Sequence, residues 1–444
     1  MGALLLAALL LAQQKEPTSE QKQIAALVSQ IRRLAASEPV VYGVDTRLRT
    51  AAVLTQKYPK VAKDLLREAQ SALGGVRPAA EQDAQRVRVV ELMAPLDLAE
   101  AEHLIGAIRR GGEEDYVAQA YDGLVEYCGN THCDAREMIS KGLQAGGFRS
   151  ASAAKMLEDS KTANPAAAVS LFGEILGSFP SQSFNDKDLY YLLDRIRLIV
   201  GLNRPLAVEA IDKSLSAALS ETLDIPLAAR QKMLREIASL IGSIDPELLE
   251  RYKTERKQLA DATLPENIPP PEKDEKQNLT LPDWSALSYS DALSQAGKLQ
   301  DPGERVAALI NIYRRETITA QQRDSVASEA LTSANLMPIS GDRLVAMAMI
   351  SRDFARNGEL GNAAFAAELL SETYGKACDC DRATCQHSGE TFECLELVQS
   401  FAEYLDEFKI TPESMNLTNI SLEARLSILK LYPLLGLKAP SMFF

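Results

Sequence analysis

Asn164-Pro165-Ala166-Ala167-Ala168 is the stretch that decides how this chain folds. A proline just inside a helix start gives up an amide hydrogen that would have had no partner, and the polar residue before it can accept from the other free N–H groups. The same construction recurs as Tyr58-Pro59-Lys60-Val61-Ala62, Arg204-Pro205-Leu206-Ala207-Val208 and Asp245-Pro246-Glu247-Leu248-Leu249. Leu96-Asp97-Leu98-Ala99 and Thr131-His132-Cys133-Asp134 supply further starts with a polar cap in place of the proline. The starts fall near residues 59, 97, 133, 165, 205 and 246, in steps of 38, 36, 32, 40 and 41 residues. Each step has room for two helices and two turns.

Apolar residues between these starts keep helical spacing. Ile24, Leu27, Val28, Ile31 and Leu34 follow the capping residues Thr18 and Ser19; Leu189, Leu192, Leu193, Ile196, Ile199 and Val200 form a second stripe, and Val306, Leu309, Ile310 and Tyr313 a third. No alternation of period two competes over a comparable length. Small residues such as Ala207 and Ala210, or Ala363, Ala364, Ala366 and Ala367, suit the close approach of paired helices. The expected fold is all-α: an α-solenoid of antiparallel helical hairpins in two parts, because hairpins of this length cannot each bury both faces and must stack on their neighbours. The unit length lies between tetratricopeptide-like and HEAT-like repeats, but the residues do not align with a tetratricopeptide consensus.

The array is expected to run over 18–263 and then to break. Residues 264–282 hold Pro265, Pro269, Pro270, Pro271 and Pro282 around the charged run Glu272-Lys273-Asp274-Glu275-Lys276, which cannot be one helix and reads as an extended linker. Helices resume over 283–444, opening at Asp301-Pro302 and Asp342, turning at Glu359-Leu360-Gly361-Asn362, and ending with helices from about Phe392 to Phe408 and Leu422 to Leu431. Trp284, the one tryptophan, reads as a plug that docks the linker on the helices.

Of the 444 residues, 46% are apolar and 25% charged, the balance of an ordinary folded chain. The net charge of −13 argues against nucleic acid and anionic lipid as partners. Residues up to Thr263 carry 32 Lys and Arg against 35 Asp and Glu, and those from Leu264 onward 16 against 26, so the nets are −3 and −10. A cationic partner is expected to favour the acidic C-terminal part. Residues 1–12 (MGALLLAALLLA) form an apolar run followed by Gln13, Gln14 and Lys15, with the length and small-residue end of a signal peptide. The run is too short to span a bilayer, and no later segment is a membrane helix once it is removed. The chain is therefore expected to be exported, to a periplasm or the medium.

The cysteines agree with that compartment. Cys128 and Cys133 stand in CGNTHC; Cys378, Cys380, Cys385 and Cys394 stand in the loop 378–394, CDCDRATCQHSGETFEC. Tight groups in an exported chain favour disulfides, with Cys128 to Cys133 the simplest pair and Cys378 to Cys380 the least favourable. The alternative is a metal site of Cys378, Cys380, Cys385, His387 and Cys394, although the C-x-x-C spacing of common zinc sites is absent. Asn278, Asn416 and Asn419 lie in N-x-[ST] sequons.

No catalytic or cofactor motif is present: HExxH, GxxxxGK, GxGxxG and GxSxG are all missing, and no cofactor is implied. Ser152-Ala153-Ala154-Lys155 matches S-x-x-K but lacks the Lys-Thr-Gly and α/β scaffold of such enzymes, and reads as chance. The richest polar cluster is Glu113, Glu114, Asp115, Asp122, Glu126, His132 and Asp134, in which Asp115, Asp122 and Glu126 share one helical face. Asp122, Glu126 and His132 are the candidates for acid and base work, against the simpler reading of a solvated helix face. Taken together the sequence leans away from catalysis and toward a scaffold that binds a protein or peptide on a curved helical surface. Two other classes remain open: an α/α-toroid-like enzyme acting on a polysaccharide or cell-wall polymer, for which aromatic platforms are scarce, and a structural component of an envelope complex.

Overall fold

A computed structural model describes residues 18–110, 112–131, 133–180, 184–220, 222–264, 283–284, 286–338, 341–378, 390–411 and 420–439. Among them the chain is all-helical, without a strand, and its helices pack largely in adjacent pairs. Residues 1–17, the linker residues 265–282, His132, Cys380, Cys385, His387 and the three sequon asparagines lie outside the described residues.

The described residues divide into two compact units, one made of those up to Glu81 together with those from Asp283 on, the other of those from Gln82 to Leu264. The first unit begins with α1 (Ser19–Ser37), α2 (Val40–Leu54) and α3 (Pro59–Ala72), followed by a 3-10 turn over Leu73–Gly75. The start of α1 is fixed by a capping box: Thr18 accepts from the Gln21 N–H while the Gln21 side chain reaches back to the Thr18 N–H. Its stripe then buries Ile24, Val28 and Ile31 as the periodicity predicts, with Ala35 one turn further on. A Cβ on Gly43 would stand 2.2 Å from the Ala35 carbonyl oxygen, so only glycine lets α2 pass so close to the end of α1.

The second unit holds α4 (Ala79–Met93, all but its first turn), α5 (Leu98–Ile105), α6 (Tyr116–Gly129), α7 (Ala135–Gln144), α8 (Ala151–Ala163), α9 (Pro165–Ser178), α10 (Asp186–Ile199), α11 (Arg204–Ala218), α12 (Leu227–Ile244), α13 (Pro246–Glu255) and α14 (Lys257–Ala262). The starts read from the sequence are helix starts: Pro59, Pro165 and Pro246 are first residues, Pro205 is second, and Asp97 and Asp134 are the caps of α5 and α7. The partner helix within each pair begins at a plainer cap, Asp115 for α6, Ser150 for α8 and Asn185 for α10. At two corners one residue both ends a helix and caps the next through its side chain: Asn164 ends α8 and caps α9, and Asp245 ends α12 and caps α13. One continuous core, from Ile139 through Phe172 and Leu192 to Ile241 and Ala262, runs through α7 to α14.

The first unit resumes with α15 (Tyr289–Ala296), α16 (Pro302–Tyr313), α17 (Ala320–Leu336), α18 (Gly341–Arg356), α19 (Leu360–Cys378), α20 (Glu390–Glu407), α21 (Ile420–Leu429) and α22 (Leu431–Leu434). Val306, Leu309, Ile310 and Tyr313 are buried, as their spacing requires, and Trp284 keeps part of its surface in water. The packing within this unit departs from chain order: α21 lies against α1 and α2. Neither the 18–263 array nor the 283–444 part of the sequence reading contains such a pairing. Among the described residues no helix is long and apolar enough to cross a membrane.

Candidate functional site

The second unit opens a cleft of about 640 Å³ between α4, α6, α7 and α8. Its framing begins with caps. Asp115 accepts from the Ala118 N–H at 3.0 Å and so sets the phase of α6, which turns Gln119, Asp122, Gly123 and Glu126 to one side. Ser150 accepts from the Ala153 N–H at 3.0 Å and starts α8, whose Ser152, Lys155, Met156 and Asp159 form the facing wall. From α4 come Val87 and Glu91, and with Val125, Ile139 and Met156 they give the cleft an apolar floor under a charged rim.

Two of the sequence-predicted site residues, Asp122 and Glu126, are brought together here, and their roles differ. The Asp122 carboxylate is committed to the start of α8: Oδ1 accepts from the Ser150 hydroxyl at 2.6 Å and the Ser152 N–H at 3.1 Å, and Oδ2 from the Ala151 N–H at 2.8 Å. A carboxylate whose two oxygens are taken by three donors at a helix start suits bracing better than proton transfer. Glu126 is exposed, as are Glu91, Lys155 and Asp159. Glu91 lies across Gly123, where a Cβ would stand 2.7 Å from its Cγ, so α4 and α6 meet at a glycine. Crowding by the walls pushes the Glu91 carboxyl above the ordinary range; the Arg88 guanidinium works against the shift and Glu126 adds to it. Because more than a third of Glu91 remains in water, that coupling is screened.

The rest of the predicted cluster is dispersed. Glu113 and Glu114 pair with Lys187 at 3.6 and 2.7 Å. Asp115 takes the Arg149 N–H at 2.9 Å and lines a separate hollow of about 310 Å³ with Arg110, Arg149 and Asp188, where the Arg149 Nε to Asp188 Oδ1 distance is 3.0 Å. Asp134 caps α7 through the Arg136 and Glu137 N–H groups. His132 lies outside the described residues. Glu91 and Asp159 had no signal of their own in the sequence, since an exposed acid on an amphipathic helix reads as solvated surface; only the packing of α4 and α8 on α6 selects them. Ser152 and Lys155, set aside as a chance motif, both line the cleft, and the Ser152 backbone is bonded to Asp122.

Cys128 and Cys133 form a disulfide, as the sequence suggests, tying the last turn of α6 to the residue before the cap of α7. It closes the hairpin whose two helices supply one side of the cleft. Cys378 and Cys394 belong to α19 and α20, with their side chains outside the described residues. No group of three or more His, Cys, Asp or Glu among the described residues is placed to hold a metal ion. No protein-family model matches the chain, and neither a curated protein nor a solved structure matches it.

Proposed function

We propose that this chain is a non-catalytic, exported helical scaffold, built as a solenoid of hairpins, that binds a protein or peptide segment and receives basic side chains of that segment in the cleft of the second unit. The observation that carries this reading is the make-up of the cleft: apolar residues Val87, Val125, Ile139 and Met156 beneath the carboxylates Glu91, Glu126 and Asp159, with Lys155 the one cation among the described residues of its lining. A lysine or arginine has that same division, an aliphatic stem that gains by leaving water and a charged head that keeps water or a carboxylate. The commitment of Asp122 to backbone N–H groups supports binding over catalysis, because it withdraws one of the two described acid–base candidates from chemistry. The Cys128–Cys133 disulfide supports an oxidising compartment, in line with the apolar run at residues 1–12.

The test is fluorescence anisotropy with two labelled decapeptides, one alternating lysine with leucine and one alternating glutamate with leucine. The lysine peptide is expected to bind, to weaken as salt rises, and to lose about tenfold in affinity to Glu91→Gln/Glu126→Gln, the scale of one or two partly screened charge contacts. Equal binding of both peptides, or turnover of a cell-wall polysaccharide that the same double variant abolishes, would overturn the reading.

A further inference from the structure

The first unit contains a charge cluster in which the side chains of Glu38, Asp45 and Arg425 are all sealed from water. Arg425 on α21 has no exposed surface, Asp45 on α2 has none, and Glu38 just past α1 is 7% exposed. Arg425 Nη2 donates to Asp45 Oδ2 at 2.6 Å, across 380 residues of sequence, and Nη1 donates to the Thr46 hydroxyl. Thr46 in turn donates to Glu38 Oε2 at 2.6 Å, and Glu38 Oε1 stands 4.0 Å from Nη1. Asp45 Oδ2 also accepts from Arg49 Nε at 2.8 Å, one turn further along α2.

Such a cluster is a poor source of stability, since apolar residues of the same shape would do as well, but half of it buried alone is strongly unfavourable. The consequence depends on where it sits. The α1–α2 hairpin turns one face to α21, its residues Val28, Ile31, Val41 and Leu48 are buried, and this chain is made of many amphipathic helices whose apolar stripes resemble one another. By burial of apolar area alone, several of them could cover that face. Any that did so without a cation would strip water from Glu38 with no charge in return and leave Asp45 with Arg49 but without Arg425.

We infer that Glu38, Asp45 and Thr46 form a lock that admits only a helix bringing a guanidinium at the position of Arg425, so that α21, and not another amphipathic helix of the chain, covers that face of the first hairpin. The acids select by exclusion: they make the wrong helices costly and leave the right one close to neutral. Thr46 completes the lock by accepting from the arginine and donating to Glu38, so the planar fork of Arg425 meets two groups at once. Burial raises the Glu38 pKa, with Arg425, Thr46, Ser421 and Asp45 the groups that face it from α21 and α2, in keeping with a carboxyl that the dry site tolerates only beside its partners.

Hydrogen exchange on the full chain tests the lock. In Arg425→Met the amides of α1, α2 and α21 are expected to exchange about a hundredfold faster than in the unaltered protein, while those of α16, α17 and the second unit keep their rates. In Glu38→Gln/Asp45→Asn/Arg425→Met, which removes the charge from both sides, protection of the three helices is expected to return to within about threefold, because the charge penalty and not the arginine's packing was the obstacle. Unchanged exchange in Arg425→Met overturns the inference, as does a triple variant as open as the single one. Should Arg425→Met fail to fold, the triple variant alone decides: protected helices support the lock and an unfolded chain refutes it.

Discussion

The two units use the same residue types in opposite ways. In the first, the side chains of Glu38, Asp45 and Arg425 are sealed from water, with Arg425 bonded to Asp45 and linked to Glu38 through Thr46, so their charges are spent on deciding which helices meet. In the second, Glu91, Glu126, Asp159 and Lys155 stand at the edge of an open cleft with water for a partner, so their charges remain available to something that arrives later. A carboxylate in water can be matched by a ligand at little cost, whereas one already desolvated is bound to its architecture. Burial, more than residue type, separates the charges that build this protein from those that can serve it.

The sharpest way to break that contrast is to remove an acid from each unit and compare. Asp45→Ala should cost the first unit about 3–5 kcal/mol, the range for leaving a buried ion without its partner, read as a drop in its urea midpoint while the second unit's transition stays in place. A loss under about 1 kcal/mol would mean that water reaches Arg425 and that the contrast is false. Cys128→Ser/Cys133→Ser should destabilise the second unit by about 2 kcal/mol, the expectation for a loop so short, with the first unit unaffected. Glu91→Gln/Glu126→Gln should leave the second unit's stability within about 0.5 kcal/mol, as befits exposed groups, even as it weakens the basic peptide. The pH dependence sharpens the same point. With its pKa raised, Glu91 takes up its proton at a higher pH than an ordinary glutamate, so affinity for the lysine peptide should grow as pH rises through and above the ordinary carboxylate range. A Glu91→Gln variant should lose that part of the slope, and an unchanged slope would place the effect elsewhere.

Much of the helical layout was legible because it is written in punctuation. Pro59, Pro165, Pro205 and Pro246, each followed by a helical pattern, mark helix starts, and Asp97 and Asp134 do so nearly as well. The partner helices were harder, because Ser150, Asn185 and Thr319 are common residues that cap only when the turn after them is already helical. Asp122 and Glu126 could be singled out by spacing alone, but spacing cannot say that three donors at the start of α8 claim one of them and leave the other free. The bond from Arg425 to Asp45 had no local trace at all. Nothing near either residue anticipates a partner 380 positions away, since long-range pairing is fixed by which faces are left uncovered once local structure has formed.

The shared corners at Asn164 and Asp245 bear on how this protein can vary. A corner made of one residue has no slack: an insertion there would change the phase of the next helix by about 100° and turn its apolar stripe away from the core. These joints fix the rotation of α9 on α8 and of α13 on α12 as firmly as a gear tooth fixes a wheel. Length changes among relatives of this chain should therefore collect elsewhere, at the turns with several residues to spare, and those two corners should keep their spacing to the residue.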